Sequence, residues 1–210
     1  MMSSATFWDK QARGYAKSPI GDMAAYEYTL GRTRSYLKDS EHAMEIGAGT
    51  GSTAIKLADA VKQLTVMDIS GEMLEIGKER AAEADVHNLS FVRAVAANAP
   101  EGPFDVIMAH NLLHLLDNLE SDLADIAWRV KSGGLFISKT PCIAEPGLGF
   151  KFGLLKMAIP VMQMFGKAPF VRHLHIAELE GLITAAGFDI IETGNFPVRP
   201  PSRYIVARKR

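Results

Sequence analysis

Cysteine is nearly absent: Cys142 stands alone among 210 residues. That excludes an internal disulfide and any metal site built from several thiolates, and the expected compartment is a reducing cytoplasm. An excess of charge is missing too, since 23 Lys and Arg face 24 Asp and Glu with no basic block. Such a balance lacks the field that gathers nucleic acid, so nucleic acid is not an expected partner. No apolar run is long enough to span a bilayer, and Trp8-Asp9-Lys10 occupies the place where a secretory signal needs its apolar core. Neither export nor a membrane span is expected. Internal repeats and low-complexity tracts are also absent, and the length suits a single domain.

What is present, from Ala43 onward, is a rhythm of short apolar runs and helical patterns, which implies a mostly parallel sheet with helices on both faces. Strands are predicted at residues 43–46, 64–67, 89–93, 104–109, 135–139, 189–193 and 203–207. Helices are predicted at 52–60, 72–84, 120–131 and 176–186, with Gly133 and Gly187 where helix C-termini turn. The last two strands have no helix between them. Upstream, residues 6–16 and 22–36 read as helices, the second placing Met23, Tyr26, Leu30 and Leu37 near one face. One domain over 1–210 is expected, divided into a helical cap (1–40), a cofactor-binding core (41–140), a lid insertion after the fifth strand (141–175), and a C-terminal helix with the last two strands (176–210).

The turn Glu45-Ile46-Gly47-Ala48-Gly49-Thr50-Gly51 joins the first strand to the first core helix. Glycine there permits positive φ and lets a ligand approach the main chain. Asp68 follows the second strand, where a carboxylate can accept hydrogen bonds from both hydroxyls of a ribose. The nucleotide is not a dinucleotide by pattern, because Ser52 takes the third glycine position of G-x-G-x-x-G, and no G-x-x-x-x-G-K-[ST] occurs. Glu45, two residues before the first glycine, would repel a pyrophosphate and attract an amino group. A ligand with a cationic end is expected.

At these residues the chain resembles the class I S-adenosylmethionine-dependent methyltransferases, in the small-molecule group that includes the ubiquinone/menaquinone enzymes. Glu45 to Gly51 is similar to the family's first motif, Asp68-Ile69-Ser70-Gly71-Glu72-Met73-Leu74 to its ribose-binding segment, Pro103-Phe104-Asp105-Val106-Ile107 to its fourth-strand motif, and Val130-Lys131-Ser132-Gly133-Gly134-Leu135 to the turn into the fifth strand. The resemblance implies a Rossmann-like seven-stranded sheet with an antiparallel last strand, and S-adenosyl-L-methionine as cofactor. It places Gly47, Gly49 and Gly51 along the methionine part, Glu45 near the ammonium, Asp68 on the ribose, and Ile69 and Met73 on adenine. Tyr15 would close over the methionine end, or simply pack as part of an aromatic cap. Relatives often carry an Asp after the third strand for the adenine amino group; Ala94-Val95-Ala96 supplies none, leaving main chain, Asn98 or packing to read adenine.

Methyl transfer is an in-line displacement that chiefly needs alignment and exclusion of water. A hydroxyl or thiol acceptor also benefits from a general base, and histidine titrates in the useful range. His110, directly after the fourth strand, is the catalytic candidate, with Asn111 beside it as a cofactor contact. His114, His173 and His175 are secondary, and His175 can equally cap the helix that follows. A catechol-type metal mechanism needs clustered carboxylates here, which His110-Asn111-Leu112-Leu113 lacks. No metal is expected. The Asn or Asp followed by Pro-Pro-Tyr of DNA-base and glutamine N-methyltransferases is missing as well.

Between Pro146 and Ala177 there is no Asp or Glu, while Lys151, Lys156, Lys167 and Arg172 punctuate a Phe- and Met-rich stretch. Three readings stand: an adaptable lid over an apolar acceptor, a basic apolar surface for an anionic membrane, or a helical pair covering the sheet edge. Pro160 and the glycines argue against one long amphipathic helix. The expected activity is methylation of a small, fairly apolar acceptor, with oxygen preferred. A phospholipid or quinone methyltransferase at a membrane surface and a non-catalytic cofactor-binding regulator are the alternatives. Oligomeric state is open.

Overall fold

The computed structural model describes residues 3–210, apart from the side chains of residues 150, 151, 155 and 156. Its helices are α1 (Ser4–Lys17), α2 (Met23–Arg34), α3 (Ser52–Leu57), α4 (Gly71–Glu83), α5 (Leu119–Arg129), α6 (Phe150–Met164) and α7 (Ile176–Ala185). The strands are β1 (His42–Ile46), β2 (Gln63–Asp68), β3 (Leu89–Arg93), β4 (Phe104–His110), β5 (Val130–Pro141), β6 (Phe188–Asn195) and β7 (Ser202–Lys209). They form one sheet in the order β3-β2-β1-β4-β5-β7-β6. Neighbouring strands from β3 to β5 are parallel, while β7 runs antiparallel between β5 and β6. The expected fold class is therefore observed.

The central strands read as near-continuous apolar runs because both of their faces are covered. Alternate residues feed two cores. On one face Met44, Ile107, Ala109 and Phe136 meet Leu123 and Ile126 of α5 and Leu179 and Ile183 of α7. On the other, Ala43, Val106, Met108 and Ile137 meet Ala54 and Leu57 of α3, with Leu30 and Leu37 packed beside them. Helix starts follow side-chain capping: Asp22 Oδ1 accepts from the Ala25 amide at 2.9 Å, and Ser70 Oγ from the Met73 amide at 3.1 Å.

Polar ties dock the two N-terminal helices. Arg32 of α2 grips Glu192 of β6 through two nitrogens, at 2.9 and 2.5 Å, and the Tyr36 hydroxyl donates to the same carboxylate at 2.6 Å. Asp9 of α1 accepts from the Ser70 hydroxyl at 2.6 Å, ahead of α4. Of the face expected from Met23, Tyr26, Leu30 and Leu37, Leu30 and Leu37 pack against the core and Tyr26 is half-buried, but Met23 is exposed, and Thr29 and Thr33 are the fully buried residues of α2.

Two further boundaries differ from expectation. Helix α5 stops at Arg129 rather than 131, because the buried guanidinium turns back to donate to the carbonyls of Asp125, Ala97 and Ala99. β5 then starts at once and lies so close to β4 that a Cβ on Gly134 would sit 2.7 Å from the Asp105 carbonyl. The insertion after β5 also departs from the sequence reading. It contains the single 15-residue helix α6 with Pro160 inside it, not a helical pair. Proline deletes one helical hydrogen bond but leaves the turn beyond it able to form. Leu154, Met157, Val161, Met164 and Phe165 are all exposed, so α6 turns an apolar stripe outward instead of covering the sheet. The expectations for Lys151 and Lys156 lie outside the described side chains.

Phe136 is fully buried, its ring centroid 5.4 Å from that of Phe188. Phe136→Ala is expected to cost about 3–5 kcal/mol in urea unfolding. A loss below about 1 kcal/mol would show that β5 and β6 do not share this packed layer.

Candidate active site

The site lies where β1 and β4 adjoin and their following connections diverge, the place where open α/β sheets bind ligands beyond their carboxyl ends. Gly47 and Gly49 have φ of +64° and +56°, which side chains other than glycine rarely adopt. A Cβ on Gly47 would meet Leu112 Cδ1 at 2.5 Å. At Gly49 the nearest atom would be Tyr15 Cε1 at 3.8 Å, leaving its backbone open to a ligand. Gly51 differs from its sequence assignment: it lies outside the cavity wall and points toward Val66 and Phe91.

Two buried carboxylates flank this turn. Asp68 Oδ2 accepts from the Gly49 amide at 2.7 Å and Oδ1 from the Ser70 amide at 2.8 Å. Burial pushes its carboxyl above the usual carboxylate range, and these two amides pull the other way. Each oxygen keeps a second lone pair, so the side chain that shapes the loop can still accept from a ribose. Glu45 is 2% exposed. Its Oε1 lies 2.9 Å from His110 Nδ1, while Oε2 is buried with no hydrogen-bond partner. An orphaned buried carboxylate oxygen is costly unless a donor from a ligand reaches it, so the site fits a ligand with an ammonium group.

These residues share a cavity of about 1120 Å³. Tyr15, Glu45, Gly47, Gly49, Asp68, Ile69, Met73, His110 and Asn111 all line it. Tyr15 stands edge-on to Trp8, ring centroids 6.2 Å apart. Asn111 adopts φ +56°, and its amide donates to the Lys139 carbonyl at 2.7 Å, which turns the chain sharply after β4. Ala94, Val95, Ala96 and Ala97 form the wall beyond β3, but Asn98 is not part of it.

The other histidines separate from His110. His114 has its Nδ1 buried without a partner, and burial lowers its pKa to about 4. His173 and His175 lie outside the wall, and His175 stands at the N-cap of α7, its amide donating to Glu178 at 3.4 Å. Sequence reasoning missed two wall residues. Arg80 donates to Thr50 Oγ1 at 2.9 Å, Ser52 Oγ at 3.0 Å and the Ala16 carbonyl at 2.6 Å, bolting α4 to the glycine turn and α1. Within α4 it looks like any solvated arginine, and no local signal marks it. Lys139, two residues before the end of β5, pairs in register with His110; a lysine soon after the apolar run of residues 135–137 was the available signal.

Residues 44–136 match the model of a methyltransferase domain family. A ubiquinone/menaquinone biosynthesis C-methyltransferase, UbiE, of Zymomonas mobilis is 35% identical over 47% of this chain and 42% of its own length. The uncharacterized methyltransferase YcgJ of Bacillus subtilis is 29% identical over 47% of this chain and 40% of its own length. The chain thus matches less than half the length of these curated relatives. The crystal structure of YcgJ superposes with a TM-score of 0.69 at 17% identity, covering 88% of this chain and 99% of that one. An S-adenosylmethionine-dependent methyltransferase from Mesorhizobium loti gives 0.69 at 18% identity over 89% and 98%. At such identities these structures speak for the fold.

His114 provides a pH test. The unfolded chain takes up its proton near 6.5 and the folded chain only near 4, so stability is expected to fall as pH drops through that window. Nuclear magnetic resonance should show His114 unmoved between pH 5.5 and 8; titration near 6.5 would contradict its burial.

Proposed function

Because this chain carries a class I S-adenosylmethionine-dependent methyltransferase domain, we propose that it methylates an oxygen atom of a small, fairly apolar acceptor, with His110 as general base. The observation that carries this reading is the Glu45–His110 hydrogen bond within a cavity larger than the roughly 300–1,000 Å³ of an ordinary small-molecule site. Such a volume holds a cofactor and a second molecule together.

S-adenosylmethionine, when bound, supplies an electrophilic methyl group on a sulfonium. In the proposed arrangement Glu45 Oε2 receives the ammonium, Asp68 the ribose hydroxyls, and Gly47, Gly49 and Asn111 the methionine end beneath Tyr15. Ile69 and Met73 pack on adenine, which no acid after β3 addresses. Gly51 braces the turn from behind. The same reading divides the chain into a helical cap (1–40), a cofactor core (41–140), a lid insertion (141–175) and a C-terminal unit (176–210).

His110 is oriented for its role by Glu45. With Nδ1–H donated to Oε1, the lone pair sits on Nε2, the tautomer a base needs. As the acceptor oxygen takes the methyl group, Nε2 takes its proton, and the Glu45 carboxylate stabilises the imidazolium. Leu112, Leu115, Leu116 and Phe170 line the same cavity and exclude water from this end.

Incubation with methyl-labelled cofactor and a metabolite extract should yield a product labelled on oxygen. Label on carbon would overturn the choice of atom, and cofactor binding without any transfer would favour a non-catalytic regulator. By calorimetry, Glu45→Gln is expected to weaken cofactor binding roughly tenfold to a hundredfold, as for a lost charge-assisted hydrogen bond. His110→Ala is expected to reduce turnover about a hundredfold or more with little change in cofactor affinity. Unchanged turnover removes His110 from catalysis.

The outward apolar stripe of α6 favours a second reading, catalysis at a membrane surface on a lipid or quinone acceptor. The Zymomonas relative is named for ubiquinone/menaquinone biosynthesis. In this reading the protein co-sediments with anionic but not neutral vesicles at low salt, and Met157→Asp combined with Phe165→Asp abolishes it. Failure to sediment with anionic lipid leaves the soluble acceptor.

A further inference from the structure

Lys139 is a buried cation that the proposed transfer does not use. It is 8% exposed, lines the cavity, and pairs in register with His110 on the neighbouring strand. Paired residues of adjacent strands project from the same face, so imidazole and ammonium are directed into the same space. Among the described residues, its ammonium makes one hydrogen bond, to Thr29 Oγ1 at 3.3 Å, and no ion pair. Asp22, at the N-cap of α2, is the carboxylate whose charge reaches it, and that side chain is engaged by the Ala25 amide. Burial pushes the Lys139 ammonium below its usual pKa, with Asp22 opposing, and of the three donors it offers only one is used.

A second donor stands in the same wall: the Tyr26 hydroxyl, presented by α2, is buried, makes no hydrogen bond of good geometry, and has the Thr53 side chain as its polar neighbour. Pro141, Phe170, Pro197 and Pro200 line the same cavity, and among its charged lining residues are the cation Arg199 and the carboxylates Asp22, Asp117 and Asp122. Two donors with spare capacity in the wall that also holds His110 are complementary to an acceptor of a particular kind.

We infer that the methyl acceptor carries, apart from the hydroxyl whose proton His110 takes, a carboxylate on its apolar frame, which the Lys139 ammonium and the Tyr26 hydroxyl hold. The inference rests on the methyl-transfer reading and specifies its substrate class. Lys139 here is a specificity determinant; a purely structural lysine would only tether α2 to the sheet through Thr29.

The test uses the full chain with S-adenosylhomocysteine present, and compares aryl and alkyl carboxylates with their primary amides by ligand-observed magnetic resonance. At least one acid is expected to bind about tenfold more tightly than its amide, the low end for a charge-assisted contact. Lys139→Met should erase that preference without altering S-adenosylhomocysteine affinity. Thr29→Val, which removes only the tether, should retain it. Equal binding of acids and amides, no binding of either, or a preference that survives Lys139→Met overturns the inference. The wild-type comparison decides even if Lys139→Met fails to fold. If wild type does not bind S-adenosylhomocysteine, the methyl-transfer reading falls instead.

Discussion

The structure is organised around a buried negative charge at the end of β1. Glu45 sits at 2% exposure, where an unpaired carboxylate would be severely destabilising. One of its oxygens is satisfied by His110, which makes the end of β4 part of the same electrostatic unit. The other faces the site without a partner. That leaves a free acceptor at the site, with the glycine turn beside it.

Most of the site is held indirectly, by contacts that fix backbones. Asp68 gathers the Gly49 and Ser70 amides, Ser70 then donates to Asp9 of α1, and Arg80 links α4, the glycine turn and the end of α1. These contacts are buried or half-buried. Their combined effect is geometric: α1 and Tyr15 are set across the cavity mouth. α2 is anchored separately through Glu192, and its Thr29 meets Lys139 near the end of β5.

Much of the fold was legible because local pattern and tertiary role coincide. The apolar runs at β1, β2 and β4 are buried on both faces, and the glycine turn and Asp68 carry their signals within a few residues. Legibility failed where a distant partner decided the outcome. Arg129 ends α5 by reaching the carbonyls of Ala97 and Ala99, some thirty residues earlier in the chain. Met23 looked like a core residue by spacing but is exposed, because the Glu192 anchor orients α2. Gly51 shares the motif with Gly47 and Gly49, yet a Cβ there would meet Val66 and Phe91, because by Gly51 the chain is already entering α3. Pro160 signalled a break, but one missing hydrogen bond did not divide α6.

The sequence by itself determined the strand-to-helix turn, the carboxylate after β2, the order of the core elements and hence the class of cofactor, because each depends on residues adjacent along the chain. Only the tertiary structure decided which histidine meets Glu45, that His114 is shut away, and that Lys139 and Tyr26 converge on one cavity. Those outcomes depend on strand register and on where α2 docks, and burial and pairing between distant residues arise only once the sheet has closed around them.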